Sequence, residues 1–327
     1  MSEEIMVSVN CLVYNHEKYL RKCLDGFVMQ KTNFKFEVLI HDDASTDCSQ
    51  EIIREYEEKY PDIIKPIYQT ENQHSKRIGI SRTFIYPKLK GKYIAFCEGD
   101  DYWFDENKLQ KQFDIMEANP DCSICVHKVK NIYEDGRDIG SFIPCFKLKT
   151  GKISSEDFFS YIYSKGYPFQ TSSYFIRREV EQILCVERPD FVKAFKVGDE
   201  PRMLIAAHLG NYYYIDETMS AYRRSSLGSW SSRVASNKDN WAVNILAYKN
   251  AIELFDEYSD FKYSKYLKSI KLYNEFSCYV YNKDYRSCFK LKYFIPFHKS
   301  SFKSKIYIFL GAFSPKTLKI IENNRSK

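Results

Sequence analysis

Five short apolar runs, interleaved with segments of helical periodicity, occupy the first 130 residues, and this alternation constrains the fold more than any other feature of the chain. Residues 7–13, 36–40, 63–68, 93–97 and 123–129 have the length and the β-branched or aromatic content of strands. Between them, residues 20–28, 49–60, 79–89 and 108–118 repeat apolar side chains at helical spacing, most clearly Leu20, Cys23, Leu24, Phe27 and Val28. The second of these helices ends before Pro61 and the fourth near Pro120. Strands alternating with helices imply βαβ units with right-handed crossovers, hence an α/β doubly wound sheet of nucleotide-binding type. The second half is less regular. Residues 155–163 and 200–209 read as helices, 171–176, 212–215 and 221–223 as strands, and 238–290 as mostly helical. The expected division is a catalytic domain over 1–235, in halves 1–130 and 131–235, and a helical, basic extension over 236–327.

The fourth apolar run ends in Glu98-Gly99-Asp100-Asp101, which gathers three carboxylates at the C-terminal end of a strand. That edge of an open α/β sheet is where ligands bind. Gly99 lets the backbone pass close to a ligand between Glu98 and Asp100. Adjacent carboxylates repel one another and resist desolvation unless a cation neutralises them. Mg²⁺ or Mn²⁺, bridging carboxylate and phosphate oxygens, suits that set. An acidic turn capping the next helix is the competing reading. Asp42-Asp43-Ala44-Ser45-Thr46-Asp47 likewise follows the second strand. A Ser45 or Thr46 N-cap, with Asp47 at the positive helix end, accounts for the last three. Asp42 and Asp43 are left over, and a carboxylate there can accept from a base N–H or from ribose hydroxyls. Tyr14 and Asn15 follow the first strand, where a ring can stack on a base. All of these positions outline one crevice.

These segments resemble the family 2 glycosyltransferases, which are inverting enzymes with the nucleotide-diphospho-sugar transferase (GT-A type) fold. Residues 7–15, 36–47 and 91–103 carry the resemblance in the right order and spacing. It implies a mixed, mainly parallel sheet followed by a mostly helical C-terminal extension. It also implies that Val13, Tyr14, Asn15, Asp42 and Asp43 contact the nucleotide, usually through uracil, and that Glu98-Gly99-Asp100 is the metal-binding triplet. Asp100 is the expected direct ligand, because Glu98 stands where the family more often has Asp; Asp101 is a second ligand or holds ribose. The family's catalytic base occupies a position like that of Asp199, with Glu200 as fallback. Taken alone, Gly198-Asp199-Glu200-Pro201 also fits a helix cap. Residues 219–230 resemble the segment that closes over the diphosphate, where Arg223 or Arg224 neutralises the leaving group. Relatives often have a His just afterwards, and this chain has Ser225 and Ser226. Arg77 and Arg82 are further candidates for reaching phosphate.

Composition is that of a water-soluble globular protein, 44% hydrophobic and 28% charged, with ten cysteines. Cys122 and Cys125 form a CxxC without a second ligand pair, which argues against zinc. No leader precedes the first strand, so the expectation is reduced thiols in a cytoplasmic protein. Net charge is +6, yet residues 285–321 carry eight Lys and Arg and no acid, so the body is near neutral. Three readings of this tail stand: a structural helix, a nucleic-acid arm, or an amphipathic segment on an anionic membrane at the inner face of the cell. A nucleic-acid partner fits poorly with so many interleaved apolar residues, and the apolar run 306–313 is too short to span a bilayer. The expected activity is transfer from a UDP-sugar to a hydroxyl of a glycan or lipid-linked glycan in surface polysaccharide synthesis. Two alternatives are a non-catalytic nucleotide-sugar-binding scaffold and a nucleotidyltransferase. The latter calls for a Gly-rich phosphate loop, where this chain has Tyr14-Asn15-His16-Glu17.

Overall fold

The structure is a computed structural model that describes residues 4–162, 168–195, 198–224 and 239–325. The described residues fall into two compact units, 4–189 with 198–224, and 190–195 with 239–325. The strands of the first unit are β1 (Ile5–Val13), β2 (Lys35–Asp42), β3 (Ile64–Tyr68), β4 (Tyr93–Phe96), β5 (Tyr102–Trp103), β6 (Cys122–Ile132), β7 (Asp138–Ile143), β8 (Gly151–Ile153), β9 (Phe175–Arg177) and β10 (Asn211–Arg223). They form one sheet in the order β3-β2-β1-β4-β9-β6-β10-β5, with β7 added to β6 and β8 to β10. β3, β2, β1 and β4 are mutually parallel, and β10 runs parallel to β6. β9 is antiparallel to both β4 and β6 and separates them. The sheet is therefore mixed and mainly parallel, as expected.

β1 lies inside the sheet between β2 and β4, and six of its nine residues are buried. Helix α1 (Glu17–Val28) buries Leu20, Cys23, Leu24 and Phe27, and α2 (Ser49–Lys59) buries Ile52 and Ile53. Helix α3 (Lys108–Ala118) adds Leu109 and Met116. These side chains share one core with Val7, Val9, Cys11 and Val13 of β1 and Val38 and Ile40 of β2. At the opposite edge from the acidic motif, buried Glu37 accepts from Ser8 Oγ at 2.7 Å and from the Lys90 N–H at 3.0 Å. Gly91 packs so tightly there that a Cβ would lie 2.4 Å from the Ser8 nitrogen.

Several local expectations are corrected. The helix expected over 79–89 is a wide π-type turn, Ser81–Ile85, followed by a 3₁₀ turn, Tyr86–Lys88, in which Pro87 cannot supply the donor a continuing helix needs. The strand expected over 171–176 is a 3₁₀ turn, Thr171–Ser173, and then β9. The strands at 212–215 and 221–223 are one strand, β10, whose register against β6 shifts between Ile215 and Ser220. The helix expected over 155–163 is one short helical turn, Ser155–Asp157, running into a wide turn, Phe158–Ile162. β5, β7 and β8 were not foreseen, since each is short or largely polar.

Helix α4 (Asp199–Leu209) also belongs to the first unit. The second unit contains α5 (Asp239–Tyr258), α6 (Ser264–Tyr281), α7 (Phe302–Phe313) and α8 (Pro315–Arg325). Its core joins Phe276, Tyr285, Cys288, Tyr293, Ile308, Ala312 and Leu318. Among the described residues no helix is long and apolar enough to cross a membrane. Gly91→Ala forces β4 away from β1, and an overpacking cost of about 1–3 kcal/mol is expected in urea unfolding; an unchanged midpoint would contradict this close packing.

Candidate active site

The chain leaves β4 in a tight turn that points the acids at the crevice. The Gly99 N–H donates to the Leu12 carbonyl at 3.0 Å, and the Asp101 N–H donates to the Glu98 carbonyl at 3.0 Å. A Cβ on residue 99 would lie 2.7 Å from His16 Nδ1 and 2.9 Å from Val13 Cγ2, so only glycine fits between the turn and the loop after β1. From below, the thiols of Cys23 and Cys97 both point at the Glu98 carbonyl oxygen, at 3.5 and 3.7 Å. Asp101 is buried and occupied: it accepts from the Arg223 N–H at 2.9 Å and from Gln170 Nε2 at 3.0 Å. Burial and then the neighbouring Asp100 push its carboxyl well above the usual carboxylate range. The Arg223 guanidinium donates to the carbonyls of Asp100 (2.9 Å), Tyr133 (3.2 Å) and Glu134 (2.5 Å), and lies over the Tyr19 ring. It thus ties β10 to the acidic turn, and it also lines an open cleft of about 680 Å³ with Lys18, Tyr19, Lys22 and the turn 133–137. Arg224 donates to Asn131 Oδ1 at 3.0 Å.

The strand-end residues of β1 and β2 divide by task. Tyr14 is 45% exposed at the rim. Asn15, at φ +56°, accepts from the Thr46 N–H at 2.8 Å through Oδ1, while its own N–H donates to Ser45 Oγ at 2.9 Å. Ser45 and Thr46 therefore brace the neighbouring loop and do not cap α2, which begins four residues after Ser45. Asp42 is buried, with Oδ1 accepting from the Ser45 N–H and Gln50 Nε2, and with Oδ2 lacking a partner. Asp43 receives the N–H groups of Gln73 (2.7 Å) and His74 (3.0 Å), and its own N–H donates to the Val13 carbonyl. It anchors the loop after β3 that carries Arg77, and Arg77 and Arg82 are both exposed. Arg82 acts on Arg188, whose guanidinium is held below its ordinary value by burial first and by Arg82 second.

Asp199 opens α4 without capping it: no side-chain cap bond forms, and its carboxylate instead accepts from Arg202 Nη1 at 3.1 Å. Arg202 is buried, lies over the Phe96 ring and pairs with buried Glu181 at 2.5 Å. Burial opposes its charge, but Glu181 and then Asp199 hold it firmly protonated. Glu98, Asp199 and Arg202 line one narrow cavity of about 50 Å³ with Asn10, Ser81, Phe96 and Thr171. Glu98 is exposed and also lines this cavity. Desolvation, followed by the charges of Asp100 and Asp199, pushes its carboxyl up to about 8 against the pull of Arg202. Asn10 Oδ1 is buried without a hydrogen-bond partner. Glu200 sits half-buried in the same first turn.

The sequence profile described as glycosyl transferase family 2 matches residues 8–180, just over half of the chain, including the acidic turn and the ends of β1 and β2. The chain belongs to glycosyl transferase family 2. An uncharacterized protein of Mycobacterium tuberculosis is 34% identical over 243 residues, 72% of this chain and 63% of that one, so this chain spans less than two thirds of that relative. The poly(ribitol-phosphate) beta-glucosyltransferase of Bacillus spizizenii is 33% identical over 134 residues, 41% of this chain and 20% of that protein. Among solved structures, S. aureus TarS 1-349 in complex with UDP-GlcNAc superposes with TM-score 0.59 at 16% identity, covering 94% of this chain and 79% of that one. The mannosyltransferase PcManGT from Pyrobaculum calidifontis, in complex with GDP-Man and Mn²⁺, superposes with TM-score 0.52 at 14% identity over 96% and 82%. At such identities these superpositions speak for the fold, which is the GT-A type.

Within this family 2 chain, Arg202 and Glu181 are the site residues that sequence reasoning missed. The Asp199/Arg202 spacing of three places them on one helical face, which was the available signal; nothing marked Glu181. Because the folded chain holds a proton on Glu98 up to about pH 8 and the unfolded chain releases it near 4.5, the folded state binds more protons in between. Stability is therefore expected to fall as pH rises through that window, and Glu98→Gln should flatten the slope. Melting temperatures measured across the window without divalent ions check this; an identical slope in the variant would refute it.

Proposed function

We propose that this chain transfers a sugar, with inversion, from a UDP-sugar to a hydroxyl group of a glycan or lipid-linked glycan acceptor. The observation that carries this reading is the cavity shared by Glu98 and Asp199, residues far apart in sequence whose carboxylates act on one another electrostatically. In the reaction, Asp199 accepts the proton of the acceptor hydroxyl as that oxygen bonds to the anomeric carbon from the face opposite the diphosphate. The bond from the anomeric carbon to the β-phosphate oxygen breaks, and its electron pair leaves with UDP. Arg202 orients Asp199 through their 3.1 Å bond. Tyr14 and Asp43 hold the base. Arg223 keeps the Asp100 backbone in place, and the cleft of about 680 Å³ has the size of a ligand pocket able to take the bulk of the substrates.

Mn²⁺ or Mg²⁺ fits the donor set. Among the described residues no cluster of three or more His, Cys, Asp or Glu side chains could hold a metal unaided. Such a cation commonly takes only one or two carboxylates and completes its shell with substrate phosphates and water. Asp100, with Glu98, would hold it, and the neighbouring charge of Asp100 that pushes the Glu98 carboxyl up is the kind such an ion offsets. When bound, the ion would offset the negative charge of the departing diphosphate. The names of the poly(ribitol-phosphate) glucosyltransferase and of the TarS complex with UDP-GlcNAc support a surface-polymer acceptor and a uridine donor.

Asp199→Asn keeps an oxygen acceptor for Arg202 but not the basicity. Transfer should fall by about 10²–10⁴-fold, while UDP binding by calorimetry stays near the parent value. Full turnover in this variant would remove Asp199 as the base. UDP binding without turnover of any donor in the parent chain would instead favour a scaffold.

A further inference from the structure

The helical C-terminal unit bears a face that its own core does not use. Along α7, Phe302, Ile306, Phe309 and Phe313 recur at helical spacing and are between 42% and 79% exposed. Ile308 and Ala312, on the other side of the helix, are buried in the core of the unit. The stripe continues onto Phe289, whose ring centre lies 6.5 Å from that of Phe309 and 5.2 Å from that of Phe313. Phe297 packs on Phe289 at 5.2 Å, and Leu291, just beyond, is 91% exposed. A continuous apolar surface of this kind marks an interaction site, not ordinary solvent-facing surface.

Its surroundings are cationic. Lys290, Lys303, Lys316 and Lys319 are exposed, and the ion pairs of the described residues leave out Lys303, Lys316 and Lys319. No acid occurs between residues 285 and 321. We propose that this face docks on an anionic lipid bilayer, with the rings and Leu291 entering the boundary between headgroups and acyl chains and the lysines meeting lipid phosphates. A second copy of the chain would bring the same lysines against one another, a like-charge contact that a bilayer replaces with attraction. Docking places the chain on the membrane without crossing it, in keeping with the absence of a spanning helix among the described residues.

Vesicle co-sedimentation of the full chain tests this without donor or acceptor, so it stands or falls separately from the transferase reading. The parent protein should bind vesicles of phosphatidylglycerol mixed with phosphatidylcholine and should bind pure phosphatidylcholine far more weakly. The combined change Lys303→Glu, Lys316→Glu and Lys319→Glu should weaken binding to the anionic vesicles by at least about tenfold, since each lysine near such a surface contributes on the order of 1 kcal/mol. The combined change Phe302→Ser, Phe309→Ser and Phe313→Ser should abolish binding with helical circular dichroism retained; if it misfolds, the lysine variant decides. Failure of the parent to bind anionic vesicles, equal binding by the lysine variant, or concentration-dependent self-association abolished by the serine variant would each overturn the proposal.

Discussion

Everything at the crevice depends on one electrostatic constraint, the crowding of carboxylates where strand ends and a helix start converge. Glu98, Asp100 and Asp101 leave β4 within four residues, and Asp199 arrives from α4 at the same cavity. Left to themselves these groups would repel and would favour protonation. The fold answers differently at each. Asp101 is sealed among donors with its carboxyl pushed well above the usual range, Glu98 rides up to about 8, and Asp199 is steadied by Arg202. Arg202 in turn pairs with Glu181, so the candidate base is supported by a buried ion pair. Removing either partner would leave a buried charge uncompensated, a costly state.

The rest of the sheet serves that arrangement. Antiparallel β9 stands between β4 and β6, and the 3₁₀ turn before it supplies Thr171 to the cavity, while Gln170 just ahead of that turn bonds to Asp101. β10 is long enough to pair along β6 and still deliver Arg223 to the acidic turn. Where the chain gives up a regular helix at residues 81–88, the irregular backbone lies beside the crevice: Ser81 lines the cavity and Arg82 follows it.

The first 130 residues were legible because apolar periodicity and strand-end acids are local signals. β1 to β4, α1 to α3 and the crevice they outline follow from spacing alone. The part played by Asp43 was only half visible: its position at a strand end is plain, but its grip on the N–H groups of Gln73 and His74 depends on a loop that folds back. Asp101, Asn15 and Arg223 are harder still, since a carboxylate, an amide and a guanidinium look equally suited to ligand or to backbone until their partners are seen. β5, β7 and β8 escaped notice because strands of two to six residues draw their stability from neighbours and not from their own propensity. Arg202 and Glu181 pair across 21 positions, a distance no periodic pattern spans.

The missing Cβ at Gly99 has a further consequence. With His16 and Val13 both within 3 Å of where it would sit, the loop that presents Tyr14 and the turn that presents Glu98 and Asp100 interlock without clearance. The two are in effect one mechanical part. A change in the position of Tyr14 cannot be introduced without moving the acids, and a shift of the acids must be felt at Tyr14. On the proposed reading, donor identity and cation placement would be inherited together in this scaffold, with changes around residues 13–16 and 98–100 arising as a set.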